Sequence, residues 1–418
     1  MTRARRRVLI FSPLLEGHRA VYMSVLADVA LKADWEVVLA AALTCAGEDV
    51  ACPHLFRYRG EPRVSFVDVA DEPSGGLDIG PGSFARLVQR ARADVTVLAH
   101  ADNHIRLLNS QLCGAARRLP GRRVGIFISG TNFVHGGARD RSPREWVRHY
   151  RHYPETWREQ PALFHRMLLP TFRLVDVALC LDEVFVDSRG EPYRWLPDID
   201  ATLGAWRARE ESAEARMWGE RLRPFLGHNA GRSVFVYYGE AQARRGYDTL
   251  LRLAIEEGGC FVHAGRRADD EAYKYDVRSM RRILAERFAL FETGEYLEEF
   301  DSANVFLNAA HHVILPYRAH YGSSGVMLQA LRAGLPVLVP DSGLMAHRVR
   351  FHRLGLVYRD GDWQDLRRQN SILSRIDAPE FRGPIERFLK YFSEDQIVSA
   401  IRGALGLAGP GAGISVPL

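Results

Sequence analysis

The chain has 418 residues, of which 47% are apolar and 26% charged, with a net charge of +5. That length supports two domains with cores of their own. No run approaches the ~18 continuous apolar residues of a membrane-spanning helix, and there is no collagen-like, low-complexity or acidic-disordered bias, which excludes helical integral membrane proteins and fibrous proteins.

Residues 3–7 are basic like a secretory n-region, yet Pro13 interrupts the apolar run that follows, and no small-residue cleavage site precedes Glu16, Gly17 and His18. The run predicts a first strand instead. Further strands are predicted at 35–41, 64–69, 94–99, 124–128 and 175–181, with longer helical periods between them. In the helix predicted over 18–32, Val21, Val25 and Val29 share one face. Such alternation predicts a parallel sheet covered by helices.

Composition changes after Pro197, where 205–222 is rich in Arg, Glu and Ala and 227–231 has the character of a turn. Residues 206–231 are therefore expected to link an N-terminal domain over 1–205 to a second domain over 232–380. The second repeats the alternation, with strands at 233–237, 260–263, 289–291, 313–315, 337–339 and 356–358 and helices at 247–257 and 270–287. Residues 381–418 are expected to hold C-terminal helices, the first starting at 380, and a Gly/Pro-rich tail. The expected fold class is α/β, two doubly wound Rossmann-like domains facing each other across a cleft, with ligands at the carboxyl ends of the strands.

Only three of the 56 basic residues are lysine, so the cationic excess is arginine, scattered along the whole chain. Arginine suits forked recognition of phosphate or carboxylate, but uniform enrichment also follows from coding bias and identifies no partner. Five cysteines (Cys45, Cys52, Cys113, Cys180 and Cys260) form no CxxC pair and leave one over, the pattern of reduced thiols in a cytosolic protein.

The most informative stretch is 313–339, VILPYRAHYGSSGVMLQALRAGLPVLV. It predicts a buried strand, a loop ending in Gly322, Ser323, Ser324 and Gly325, a helix, and a stop at Gly334. Free amides at that helix N-terminus could hold a phosphate, and the glycines allow close backbone approach. An ordinary serine-capped crossover helix has the same pattern.

Four segments in order carry a resemblance. They are Tyr237-Tyr238-Gly239 followed by Arg245-Gly246-Tyr247-Asp248; His263-Ala264-Gly265; FETGEYLEEF and AAHHVILPY within 291–317; and the loop, helix and strand start over 322–336. Together they resemble family 4 retaining glycosyltransferases of the GT-B fold (glycosyl transferases group 1), in a GSSG-loop variant. The resemblance covers 233–360 well and the N-terminal half only in its βαβ plan. It implies transfer of a sugar from a nucleotide diphosphate donor, UDP- or GDP-linked, to an acceptor hydroxyl, with retention. No metal and no cofactor beyond that co-substrate are expected.

By the same resemblance Arg244, Arg245, Tyr321, Ser323, Ser324, Gly325, Val326 and Gln329 bind the donor, and His18 and Arg245 are catalytic. The family's E-x7-E carboxylates fall on Tyr321 and Gln329, and its first diphosphate arginine falls on Glu240. Gln329 can still hydrogen-bond a diol. Gly17, His18, His100, Asp102, Thr131 and Asn132 follow predicted strands of the N-terminal half and are expected on the acceptor side of the cleft. His100, Asp102 and His104 also resemble a metal string, but a further ligand is missing. Asp198-Ile199-Asp200 matches the DxD of another glycosyltransferase fold, yet its place behind Pro197 suits a helix cap.

Segment 139–173 mixes arginines with Trp146, Tyr150 and Trp157. It suits half-buried helices with snorkelling arginines, or contact with an anionic membrane. The expected partners are a nucleotide-sugar donor and a sugar, lipid-linked or polymeric acceptor, with peripheral membrane contact and no nucleic acid. The expected location is the cytoplasm, including the inner membrane face, and the expected role cell-surface polysaccharide or glycolipid synthesis. A non-catalytic GT-B nucleotide-binding scaffold and a GT-B sugar-nucleotide epimerase are the alternatives.

Overall fold

The computed structural model describes residues 5–13, 15, 18–43, 53–69, 81–104, 120–128, 169, 173–199, 212–267, 274–295, 297, 300–318, 320–377 and 379–407. The chain divides into two compact units, one of 1–199 with 394–418 and one of 200–393.

Unit 1 runs β1 (Arg7–Phe11), α1 (His18–Lys32), β2 (Glu36–Ala41), α2 (Pro53–Phe56), β3 (Val64–Asp68), α3 (Pro81–Ala91), β4 (Val95–Leu98), β5 (Arg122–Phe127), β6 (Val177–Cys180), α4 (Glu183–Arg189) and β7 (Tyr193–Trp195). All seven strands are parallel, in the order β3-β2-β1-β4-β5-β6-β7. β1, β2, β4 and β6 are buried along almost their whole length, as expected for a sheet covered on both faces. The core gathers Leu9, Phe11, Phe84, Leu87, Phe127 and Leu174, with the Phe11 and Phe84 rings edge to face at 5.1 Å. The order reverses between β1 and β4, so their carboxyl ends form the switch point.

Unit 2 comprises α5 (Ala213–His228), β8 (Val234–Tyr238), α6 (Tyr247–Glu256), β9 (Cys260–Arg266), α7 (Lys274–Glu286), β10 (Leu290–Gly294), α8 (Phe300–Leu307), β11 (Val313–Ile314), α9 (Gly325–Arg332), β12 (Val337–Pro340), α10 (Gly343–His352), β13 (Gly355–Tyr358), α11 (Trp363–Leu373) and α12 (Pro379–Leu389). Its strands form two parallel ladders, β10-β9-β8 and β11-β12-β13, with β11 beside β8. Here too the order reverses in the middle, next to the ends of β8 and β11.

Two segments differ from expectation. The stretch expected as a linker holds α5, opened by Ser212, whose Oγ accepts from the Ala215 amide at 3.0 Å. Its Trp218 is fully buried against Phe306 and Phe291, so the helix is part of the unit 2 core. The expected C-terminal region is also divided, because α12 stays with unit 2 while α13 (Glu394–Leu405) returns to unit 1 and packs on α1 and β5. α1 buries Tyr22 and Leu26 as well as its valine face. Among the described residues no helix is long and apolar enough to cross a membrane. The basic aromatic segment 139–173 lies almost wholly outside the described residues.

Candidate functional site

In unit 2 the sequence builds a tight turn after β8. Gly239 has φ 108°, and a β-carbon on Gly265 would stand 2.1 Å from the Gly239 carbonyl oxygen, so the ends of β8 and β9 approach as only glycines allow. A short 3-10 turn, Ala243–Arg245, then leads to Gly246 at φ 70°, where a β-carbon would meet the Pro316 carbonyl at 2.2 Å. Arg245 folds back across this turn, with its Nη1 2.8 Å from where a Gly239 β-carbon would be. Loss of hydration and then the neighbouring Arg245 charge lower the Arg244 pKa.

The segment that leads into the GSSG loop is fastened to this turn. The Arg318 amide donates to the Arg244 carbonyl at 2.8 Å, tying the segment after β11 to the arginine pair. His320 follows, with its ring 5.1 Å from that of Tyr317 and its Nε2 donating to the Ser323 carbonyl at 3.1 Å. Burial lowers the His320 pKa and the charges of Arg244 and Arg245 lower it further. Ser324 caps α9, its Oγ accepting from the Met327 amide at 3.3 Å. The amides of Gly325 and Val326, at the start of α9, have no intrahelical acceptor. Gln329, one turn along, is 9% exposed, and its buried Oε1 has no hydrogen-bond partner among the described residues.

Tyr321 is half-buried and used by its backbone. Its carbonyl accepts from the Leu344 amide at 2.9 Å, and Gly343, at φ 81°, leaves only 2.8 Å between a would-be β-carbon and the Tyr321 Cα. The Glu240 carboxylate accepts from Gln242 Nε2 at 2.5 Å.

Sequence inspection missed a buried network behind the turn. His263 is fully buried and its Nε2 donates to the Gly239 carbonyl at 3.0 Å. Beside it Glu292 accepts from Tyr247 Oη at 3.1 Å, Arg281 Nε at 2.8 Å and Arg267 Nη2 at 2.8 Å. Burial opposes ionisation of Glu292, but hydrogen bonds from His263 and Arg281 and the arginine charges outweigh it and hold its pKa at about 2. Arg348 was also missed. It is fully buried and donates from Nη1 to Ser323 Oγ at 2.8 Å. The sequence signal was a charged residue on the apolar face of a helix that carries Leu344 and Met345.

In unit 1, Gly17, Thr131 and Asn132 lie outside the described residues, and His18 opens α1. His100 and Asp102 do come together after β4. Arg19 Nε donates to His100 Nδ1 at 3.0 Å, which leaves the His100 proton on Nε2, 3.7 Å from Asp102 Oδ2. That same oxygen accepts from the Ile128 amide at 2.5 Å. His104 is buried against Phe11, its rings 5.2 Å apart, and burial followed by the charges of His100 and Arg19 lowers its pKa to about 4. Asp198 accepts from Tyr22 Oη at 3.4 Å within the unit 1 core, and the residues it was expected to cap lie outside the described residues.

Each unit is thus a doubly wound α/β sheet with polar residues at its switch point. No family model and no curated protein matches the chain. Similar solved structures span it almost end to end. Anabaena HepE in complex with UDP has a TM-score of 0.63 at 14% identity, covering 97% of this chain and 100% of HepE, and the same protein with UDP-glucose scores 0.62 at 15%. Sucrose-phosphate synthase from Thermosynechococcus elongatus scores 0.58 at 14% identity, covering 94% of this chain and 96% of the other. WaaG, a glycosyltransferase involved in lipopolysaccharide biosynthesis, scores 0.53 at 13% identity, covering 97% and 100%. Identities this low show the fold alone, and the chain has an α/β GT-B fold.

Proposed function

We propose that the protein is a glycosyltransferase that moves a sugar from a UDP- or GDP-linked donor to a hydroxyl of a sugar, lipid-linked or polymeric acceptor. Retention, independence from metal, and a role in cell-surface polysaccharide or glycolipid synthesis are part of this reading. The observation that carries it is the bond from the Arg318 amide to the Arg244 carbonyl, which ties the Arg244–Arg245 turn to the segment that leads into the GSSG loop, at the switch point of unit 2. Two guanidiniums and a helix N-terminus there suit a diphosphate. The unpartnered Gln329 oxygen suits a ribose hydroxyl. HepE, similar in fold over the whole chain, has been solved with UDP and with UDP-glucose.

In this reading Arg244, Arg245 and the amides of Ser324, Gly325 and Val326 hold the diphosphate. As the acceptor oxygen bonds to the anomeric carbon, the bond to the diphosphate oxygen breaks and negative charge grows on the leaving group. Cations and amides placed beforehand stabilise that charge more than the bound ground state, which is how they raise the rate. The acceptor proton passes to the leaving phosphate on the same face. In unit 1, His100 and Asp102 are the acceptor-side groups, and His18 stands at the start of α1.

A non-catalytic nucleotide-binding protein is the second reading, favoured by Tyr321 and Glu240, which stand where the resemblance calls for a carboxylate and an arginine. Purified protein incubated with a panel of nucleotide sugars separates the two. Acceptor-dependent nucleotide release is expected for the transferase. Tight nucleotide binding with no release for any acceptor overturns it, and isomerised donor points to an epimerase instead.

A further inference from the structure

We propose that Tyr237 and His263 are positioning residues of the unit 2 anion site, fastening the backbone of the turn that presents Arg244 and Arg245 to a diphosphate. The inference rests on the diphosphate reading above and adds two residues that act through the turn without touching the ligand.

The turn cannot hold itself. Between β8 and α6 its regular structure is one 3-10 turn of three residues, Ala243–Arg245, begun by Gln242, whose side chain makes no cap bond. So short a helix has too few bonds of its own to fix its position. Its cargo is also costly to gather. The Arg245 charge lowers the Arg244 pKa, and neither guanidinium has a hydrogen bond or an ion pair among the described residues. The chain therefore has to place this pair through the backbone.

The amides of Gly239 and Ala241 continue the ladder to β9, donating to the Ala264 and Arg266 carbonyls at 2.8 and 2.9 Å. Groups between and after them fall to side chains. The Tyr237 hydroxyl donates to the Glu240 carbonyl at 2.8 Å and accepts from the Gln242 amide at 3.3 Å, so its one hydrogen and a lone pair are both spent on the turn. Gln242 is the residue from which the 3-10 turn starts, the Arg245 amide donating to its carbonyl at 3.0 Å. His263 holds the other end, since its Nε2 donates to the carbonyl of Gly239, the residue over which Arg245 is laid.

Tyr237 and His263 are register partners across β8 and β9, so both side chains leave the same face of the sheet. Each is itself fixed. Tyr237 is 4% exposed, with its ring edge to face on Tyr247 at 4.9 Å and on His263 at 5.4 Å, and His263 is fully buried. Burial also pushes the Tyr237 pKa up, which keeps the hydroxyl a donor. A turn ordered before the anion arrives spares binding the cost of ordering it.

Titration calorimetry with inorganic pyrophosphate, UDP and GDP tests this on the full chain, with melting temperatures measured beside it. Tyr237→Phe keeps the ring and is expected to weaken pyrophosphate and nucleotide binding roughly tenfold, the scale of the hydrogen bonds removed. His263→Leu should do the same, and His263→Gln, which keeps a donor, should restore most of the affinity. In the Arg245→Ala background Tyr237→Phe should cost only about threefold, because one of the two cations it places is gone. Tyr58→Phe removes a buried hydroxyl bonded to the Ser24 carbonyl in unit 1, and should lower the melting temperature with affinity unchanged. Parent-like affinity in Tyr237→Phe, an equal loss in Tyr58→Phe, or a full tenfold loss in the Arg245→Ala background overturns the inference. Should the Tyr237 and His263 variants fail to fold by circular dichroism, hydrogen exchange on the parent decides it. Amides of 239–246 should be protected before any ligand is added, and protection gained only with pyrophosphate overturns the inference. Parent protein that binds pyrophosphate but neither UDP nor GDP removes the donor reading and leaves this inference standing. Parent protein that binds no pyrophosphate overturns the inference.

Discussion

In the proposed donor site Arg245 offers its guanidinium directly, laid over Gly239 at the end of β8, where any side chain would displace it. Replacing it with alanine removes a charge-assisted contact, and we expect Arg245→Ala to weaken UDP or GDP binding by about 1.5–3 kcal/mol while the melting temperature stays near that of the parent. Titration calorimetry on the folded variant checks this, and unchanged affinity takes Arg245 out of the donor site. Arg245 was legible in the sequence because its role depends on its neighbours in the chain, a strand before it and an obligatory glycine after it. Arg348 was not. Its partner lies 25 residues away, and no local pattern shows that α10 turns this position toward the loop. The bonds of His263 and Glu292 were not legible for the same reason, since their partners come from other strands and helices. His104 was read beside His100 and Asp102 from spacing alone, but packing on Phe11 has made it a neutral core residue.

Among elements, the strands were legible because parallel strands buried on both faces leave short runs rich in valine and other apolar residues, such as VFVYY and VLVP. α5 was taken for a linker because it fully buries only Ala215, Trp218 and Leu222, and five of its other residues are arginine or glutamate. Tertiary packing on α8, itself not anticipated, gives that helix its place. The ends of β8, β9 and β10 are joined by side chains as well as by their ladder: His263 holds the Gly239 carbonyl, and Glu292 gathers Tyr247, Arg281 and Arg267. This joint has a defined pH dependence. The Glu292 pKa, ordinarily 4.5, is held at about 2 in the folded protein, so the carboxylate's contribution is complete above about pH 4.5 and is lost as pH falls toward 2. Melting temperatures measured across that window should fall with acidification, and Glu292→Gln should lower stability at neutral pH and flatten the fall. A variant whose pH profile parallels that of the parent would remove Glu292 as its source.

Across the whole molecule, the scattered arginine that identified no partner has a structural use. Several guanidiniums reach from one element to the carbonyls that end another: Arg7 Nη1 to Ala91 at 2.9 Å, Arg63 Nη1 to Leu31 at 3.0 Å, Arg287 Nη1 to Ile255 at 3.3 Å and Arg122 Nε to Ala404 at 2.6 Å. The last carbonyls of a helix lack intrahelical donors and carry the negative end of its dipole, and a forked cation answers both needs. Arg122 matters most among them, because the helix it holds, α13, is reached only after the chain has built all of unit 2 and come back to unit 1. Arg194 adds a longer contact to Gly403 at 3.5 Å from β7, so two strands of the unit 1 sheet clasp the end of one returning helix. The apolar face of α13, with Ile397, Ile401 and Leu405 buried, supplies most of the attachment, and the arginines fix its end. Arg122→Ala is therefore expected to cost about 1–2 kcal/mol, the scale of a charged hydrogen bond to a helix end, without unfolding the protein. Hydrogen exchange read by mass spectrometry locates that loss. Amides of α13 should exchange faster, those of α1 and β5 beneath it should follow to a smaller degree, and peptides from unit 2 should keep their protection. Equal protection of α13 in parent and variant would mean that the apolar face alone holds the returning helix.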